Sequence, residues 1–156
     1  TFVEPAASPV ATPELAQEYP FVCSTGLKLG IHTHTQFRTL PWIREIEPDP
    51  FAEIHPRTAA ELGIEEGDWM TVTSPKGEIR ARARITGAVH PRMVFVTHGY
   101  GEPYAAEEVG VGEADLPNVI TSEVERDPVS GATGNRSFLC RIARVEQAGT
   151  ASLRSQ

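Results

Sequence analysis

Cysteine, methionine and tryptophan are scarce, two of each in 156 residues, and aromatic side chains make up only 7% of the chain. Neither cysteine lies in a metal-binding or iron–sulfur motif. Cys23 and Cys140 sit in apolar surroundings, "FVCST" and "FLCRI", which reads as two buried thiols, with a disulfide as the other reading. Basic residues are outnumbered, 14 Lys and Arg against 21 Asp and Glu, for a net charge of -7. That balance argues against nonspecific binding to nucleic acid, which wants a basic face. It leaves room for a phosphorylated ligand, because a few local donors suffice. No run of about 18 apolar residues occurs, so no helical membrane insertion is expected. A charged n-region followed by an apolar h-region is also missing.

Catalytic signatures are absent too. There is no Gly-Lys-Ser/Thr phosphate loop and no Gly-x-Gly-x-x-Gly after a strand, and Ser130 lies in "VSG" rather than in a Gly-x-Ser-x-Gly elbow. The paired acids Glu65–Glu66 and Glu107–Glu108 fall in turn-like stretches and read as solvated faces. No catalytic residue is assigned on these grounds.

What is present is punctuation. Thirteen Gly and thirteen Pro favour many short strands and turns. Residues 1–18 have the Pro- and Ala-rich composition of a linker and open on Thr, so they are expected to connect to something upstream in a larger protein. Residues 19–26 read as a short strand. The stretch 27–48 shows no sustained period over its first half and reads as a loop able to wrap a ligand. A strand is expected over 51–54. Pro56 then suits a first helical position, and Gly63 the left-handed stop two turns later.

Beyond it, Trp69, Thr71 and Thr73 oppose Met70 and Val72, with Trp69 expected as a large buried aromatic. "SPKG" is a turn, and Ile79, Ala81, Ala83 and Ile85 alternate with Arg80, Arg82 and Arg84, a half-buried strand with a wet basic face. "MVFVT" reads as a fully buried strand. Residues 102–136 lose periodicity, "SFLCRIARVE" restores it, and 147–156 read as a flexible tail. The domain proper is therefore expected over 19–146, as a β-rich barrel with a few short helices.

Three stretches could carry chemistry. In "HTHT", His32 and His34 would face the same way on a strand, as a metal site requires, with His98 as a third ligand. Polar lining of a ligand pocket and ordinary structural histidines are the other readings, and no carboxylate completes a familiar metal pattern. "THGYG" ends a strand with two glycines, which permits close approach of backbone to a ligand or simply a tight loop. "DPVSGATGNR" could cradle an anion on backbone N–H groups beside Arg136, or be a plain turn.

Taken in order, "TGLKLGIHTHTQFRTLPWIRE", "PFAEIHPRTAAELGIEEGDWMTVTSPKGEIRARARIT", "VHPRMVFVTHGYG", "PNVIT" and "DPVSGATGNRSFLCRI" resemble a known family. It is the C-terminal dinucleotide-binding domain of the molybdopterin oxidoreductases, the dimethyl-sulfoxide-reductase superfamily. "HTQFRTLPWIRE" looks most like the formate-dehydrogenase-like and acetylene-hydratase-like branch. The resemblance implies a mainly β fold, a six-stranded double-psi β-barrel. It also implies binding of molybdopterin guanine dinucleotide, which holds Mo or W in the full-length enzyme.

Carried over by motif, the cofactor-binding residues are Thr25, Gly26, His32, His34, Thr35, Gln36, Gly99, Tyr100, Asn118, Asn135 and Arg136. Two positions depart from the family pattern. Leu27 stands where many relatives have Arg, and Asn135–Arg136 where many have Tyr-Lys or Tyr-Arg nearby. The family's metal ligand lies upstream, so no metal ligand is assigned here. The chain alone is expected to lack both activity and cofactor. Its implied partners are the upstream domains of the same enzyme and that enzyme's electron-transfer subunits. A double-psi barrel that binds a protein partner and a small His-based metal protein are the competing functions.

Overall fold

The computed structural model describes residues 4–5, 7–27, 30–31, 36–37, 40–100, 117–122 and 126–146. Among them lie three short helices, α1 (Pro13–Glu18), α2 (Pro41–Ile46) and α3 (Pro56–Leu62). Each opens on a proline, where the missing N–H removes no helical hydrogen bond. Six strands accompany them: β1 (Phe21–Leu27), β2 (Phe51–Ile54), β3 (Trp69–Ser74), β4 (Gly77–Ile85), β5 (Met93–Thr97) and β6 (Phe138–Arg144).

The strands close into a barrel in the order β1-β5-β2-β4-β3-β6. β1 runs parallel to β5, and β2 parallel to β4; the other neighbours are antiparallel. Closure pairs the strand edges, and the barrel encloses its own apolar core. Cys23, Ala52, Ile54, Met70, Val72, Ala81, Ala83, Val94, Val96 and Cys140 fill that core. The two cysteines are free thiols, which settles the disulfide alternative. Burial pushes the Cys23 thiol well above its ordinary value and so keeps it protonated.

The helix–hairpin block is specified locally. His55 Nδ1 accepts the Arg57 N–H at 3.0 Å, and Gly63 ends α3 at φ 64°. Ile64 N–H reaches Ala59 O at 2.9 Å and Gly63 N–H reaches Ala60 O at 3.4 Å, the paired bonds of a Schellman stop. Ser74 pairs with Gly77 across the two-residue turn into β4.

Several expectations are corrected. Helix α2 occupies part of the stretch read as loop: six residues are too few to establish a period, and Ile43 is its single buried residue. α1 buries none of its residues, hence the linker-like composition. Yet Ala7 joins the core cluster and Ser8 is buried, its Oγ accepting the N–H groups of Val10 and Ala11 at 3.2 and 3.0 Å.

Trp69 is only half-buried on the outer face of β3, while Met70 and Val72 point inward. β5 alternates rather than burying both faces, leaving Met93 and Phe95 half-buried. The arginine face of β4 is also less open than the alternation implies. Arg82 Nε meets Asp49 Oδ2 at 2.9 Å and lies over the Trp69 ring, 4.1 Å from its centroid. Arg84 Nη2 meets Glu47 Oε1 at 2.7 Å and lies over the ring of Phe51. The acids preceding β2 reach these arginines because β2 and β4 are neighbours.

Candidate functional site

Parallel pairing of β1 with β5 brings their C-terminal ends out together. Thr25 is level with Val96, and Leu27 with Thr97, across an irregularity at Gly26. Gly26 has φ 100°, a conformation that strains any residue with a Cβ. The N–H and Oγ1 of the buried Thr25 both donate to the carbonyl of Asn135, at 3.1 and 2.8 Å. This double bond of contacts ties the end of β1 to the loop before β6. Arg136 comes with it, its guanidinium nitrogens 3.9 Å from where a Cβ on Gly26 would stand.

The loop over 127–136 is organised from within. Asp127 Oδ1 accepts Val129 N–H at 3.1 Å, Ser130 N–H at 2.6 Å and Ser130 Oγ–H at 2.8 Å. Gly131 N–H donates to Asp127 O, and Ala132 N–H to Ser130 Oγ. Of the amides expected to cradle an anion, those of Val129 and Ser130 are thus taken by the Asp127 carboxylate, and those of Gly131 and Ala132 by Asp127 O and Ser130 Oγ. The side chains of Asn135 and Arg136 are both exposed on this loop.

Those hydrogen bonds, first the Ser130 amide and then its hydroxyl, hold the Asp127 carboxyl below its ordinary 3.8. A folded value below the unfolded one means the loop's support is present above 3.8 and disappears as pH falls through the depressed value. Hydrogen exchange at Val129 and Ser130 is expected to show protection above that range and loss below it. Asp127→Ala should remove the protection at every pH without unfolding the barrel.

Asn118 sits on a 3-10 turn, Pro117–Ile120, anchored by the buried Ile120. It lines a cleft of ≈ 520 Å³ with Lys76, Thr121, Ser122, Thr133 and Asn135. A neighbouring cleft of ≈ 850 Å³ shares Thr133 and Asn135 and is lined also by Arg136, Asp127, Glu4, Pro5 and Ala7. Thr25, Gly26, Asn135 and Arg136 are thus brought together, and Asn118 joins them through Asn135.

The remaining candidates are placed differently. Gly99, at φ 99°, follows β5 beside the end of β1. Tyr100 is buried, and its hydroxyl donates to Glu47 O at 3.3 Å, so its ring belongs to the fold interior. Gln36 is exposed and lines neither of these clefts. His32, His34 and Thr35 lie outside the described residues. Among the described residues, no group of three His, Cys, Asp or Glu is placed to hold a metal ion.

Sequence reasoning missed Lys76, Thr121, Ser122 and Thr133, together with the opening residues that wall the larger cleft. Lys76 reads as a turn residue in "SPKG", and only the packing of the hairpin against the 3-10 turn brings it to Asn118.

A closed six-stranded barrel with two parallel pairs, carrying polar loops gathered around two joined clefts, is a double-psi β-barrel of the ligand-binding kind. Residues 24–138 match the family described as the molydopterin dinucleotide binding domain, and the chain belongs to that family. It is 32% identical over 145 residues to a dopamine dehydroxylase of Eggerthella lenta, covering 93% of this chain and 14% of the relative. A formate dehydrogenase subunit alpha of Megalodesulfovibrio gigas is 30% identical over 158 residues, covering 93% of this chain and 15% of its own length. The solved acetylene hydratase from Pelobacter acetylenicus superposes on 93% of this chain with a TM-score of 0.78 at 26% identity, using 21% of that chain. The chain therefore spans about a seventh of the length of these curated relatives.

Proposed function

We propose that the chain clasps molybdopterin guanine dinucleotide as one domain of a larger molybdenum or tungsten oxidoreductase, and contains no complete active site. The observation that carries this is the lock between Thr25 and Asn135, which sets Arg136 beside Gly26 on the wall of the larger cleft, which shares Thr133 and Asn135 with the smaller one. The residues fit such a group. Arg136 has no carboxylate partner among the described residues, the amides of Asn118 and Asn135 are exposed, and the Gly26 backbone is uncovered by any Cβ. When bound, the dinucleotide supplies the metal and its redox chemistry. The chain's own part is to bind and orient it, with His32, His34, Thr35 and Gln36 extending the clasp along the first loop.

The upstream domains of the parent enzyme are the proposed neighbours. Phe37, Leu40, Trp42 and Ile46, all exposed, surround α2 and offer them an apolar surface. Electron-transfer subunits of the parent enzyme are the further partners proposed.

The test is titration of the chain with GDP while following amide shifts. Shifts are expected at Thr25, Gly26, Asn118, Asn135 and Arg136, with affinity on the order of 0.1–1 mM, because one wall of the site belongs to other domains. Shifts confined to the α2 surface would refute the assignment. So would stoichiometric metal or turnover by the isolated chain.

A further inference from the structure

We infer that Lys76, at the tip of the β3–β4 hairpin, is a phosphate contact of the bound nucleotide. The inference rests on the reading of these clefts as a dinucleotide site. Lys76 lines the ≈ 520 Å³ cleft together with Asn135, and the other described lining groups are amides, hydroxyls and one valine, with no carboxylate.

Charge pairing leaves this lysine available, as it does Arg136. Arg57, Arg82, Arg84 and Arg144 are each held by a carboxylate, at 2.8, 2.9, 2.7 and 2.9 Å. Lys76 has no ion-pair partner among the described residues. In a chain with a net charge of -7, an ammonium without an ion pair, on a cleft with no carboxylate among its described lining, makes a local site for an anion. An ammonium acts on phosphate as a point charge, so it needs placement more than orientation.

The placement is built in. The buried Ser74 accepts the Lys76 N–H on its Oγ at 3.1 Å and fixes the turn. Gly77 lets the hairpin press onto the 3-10 turn: a Cβ there would stand 2.7 Å from Val119 Cγ1 and 2.9 Å from Val119 O. Either contact would force the 3-10 turn away. Glycine at 77 therefore keeps Lys76 and Asn118 on one cleft, although they lie far apart in sequence.

A phosphate contact distinguishes ligands by their phosphates. GDP and guanosine are titrated into the wild-type chain, Lys76→Ala and Lys76→Arg by amide shifts at low salt. Lys76→Ala is expected to weaken GDP about five- to tenfold, leave guanosine unchanged and leave the melting temperature unchanged. Lys76→Arg should retain most of the GDP affinity. Equal weakening of GDP and guanosine, or unchanged GDP affinity, would overturn the assignment of Lys76 while the proposed function stands. Absence of any nucleotide shift at these loops in the wild-type chain would overturn both.

Discussion

Met70→Ala is expected to cost the barrel about 2–5 kcal/mol of unfolding free energy, and Trp69→Ala, one residue earlier, only about 1–2 kcal/mol. Residue size alone would rank them the other way. Alternation on β3 decides it, since Met70 is 0% exposed in the core and Trp69 lies half-buried outside under the Arg82 guanidinium. Truncating Met70 removes transfer energy and also leaves a void among Val72, Ala81 and their neighbours, which a closed barrel cannot collapse to fill. Truncating Trp69 exposes one side of the Arg82 guanidinium to water that is already close by. Urea unfolding at constant m-value measures both. Equal losses would mean that the outer layer of Trp69, Arg82 and Asp49 is as much a core as the interior.

That same strand marks the boundary of what the sequence reveals. Period 2 assigns faces but not which face is interior, and the larger, more apolar-looking residue was the misleading one. Where a local rule is complete, the reading holds: Pro56 to Gly63 specify a helix start and stop that owe nothing to distant residues. Where the deciding partner is remote, it fails. Nothing near Arg82 or Arg84 announces that Asp49 and Glu47 will reach them through parallel pairing of β2 with β4.

The site divides in the same way. The ordered motifs singled out Thr25, Gly26, Asn118, Asn135 and Arg136, and the fold brings these together. The amides of "DPVSGATGNR" looked available because their glycines and serine suit a nest. Asp127, at the head of the same stretch, takes those of Val129 and Ser130 on its carboxylate and that of Gly131 on its carbonyl. Lys76 was invisible because its role depends on a contact between Gly77 and Val119 that no local pattern encodes.

The parent enzyme carrying Arg136→Ala is expected to retain at least about tenfold less cofactor, since a charged hydrogen bond contributes about 1.5–3 kcal/mol, with its melting temperature little changed when both proteins are compared empty. The side chain is exposed and makes no ion pair among the described residues, so its removal breaks no folding contact of that kind. The backbone of the same loop stays in place, because the Asn135 carbonyl, not the Arg136 side chain, receives both bonds from Thr25. Thr25→Val is the informative companion. It keeps the N–H bond and the volume but deletes the hydroxyl bond at 2.8 Å, leaving the Asn135 carbonyl one of its two bonds from Thr25. Thr25→Val should lower both stability and retention, whereas Arg136→Ala should lower retention alone. Lys at 136 should restore part of the loss, because the charge returns without the planar fork. Retention is read as cofactor per polypeptide after gel filtration, and stability as the melting temperature of the cofactor-free protein. A cofactor-free Arg136→Ala protein that melts well below wild type would make Arg136 a structural residue and remove it from the site.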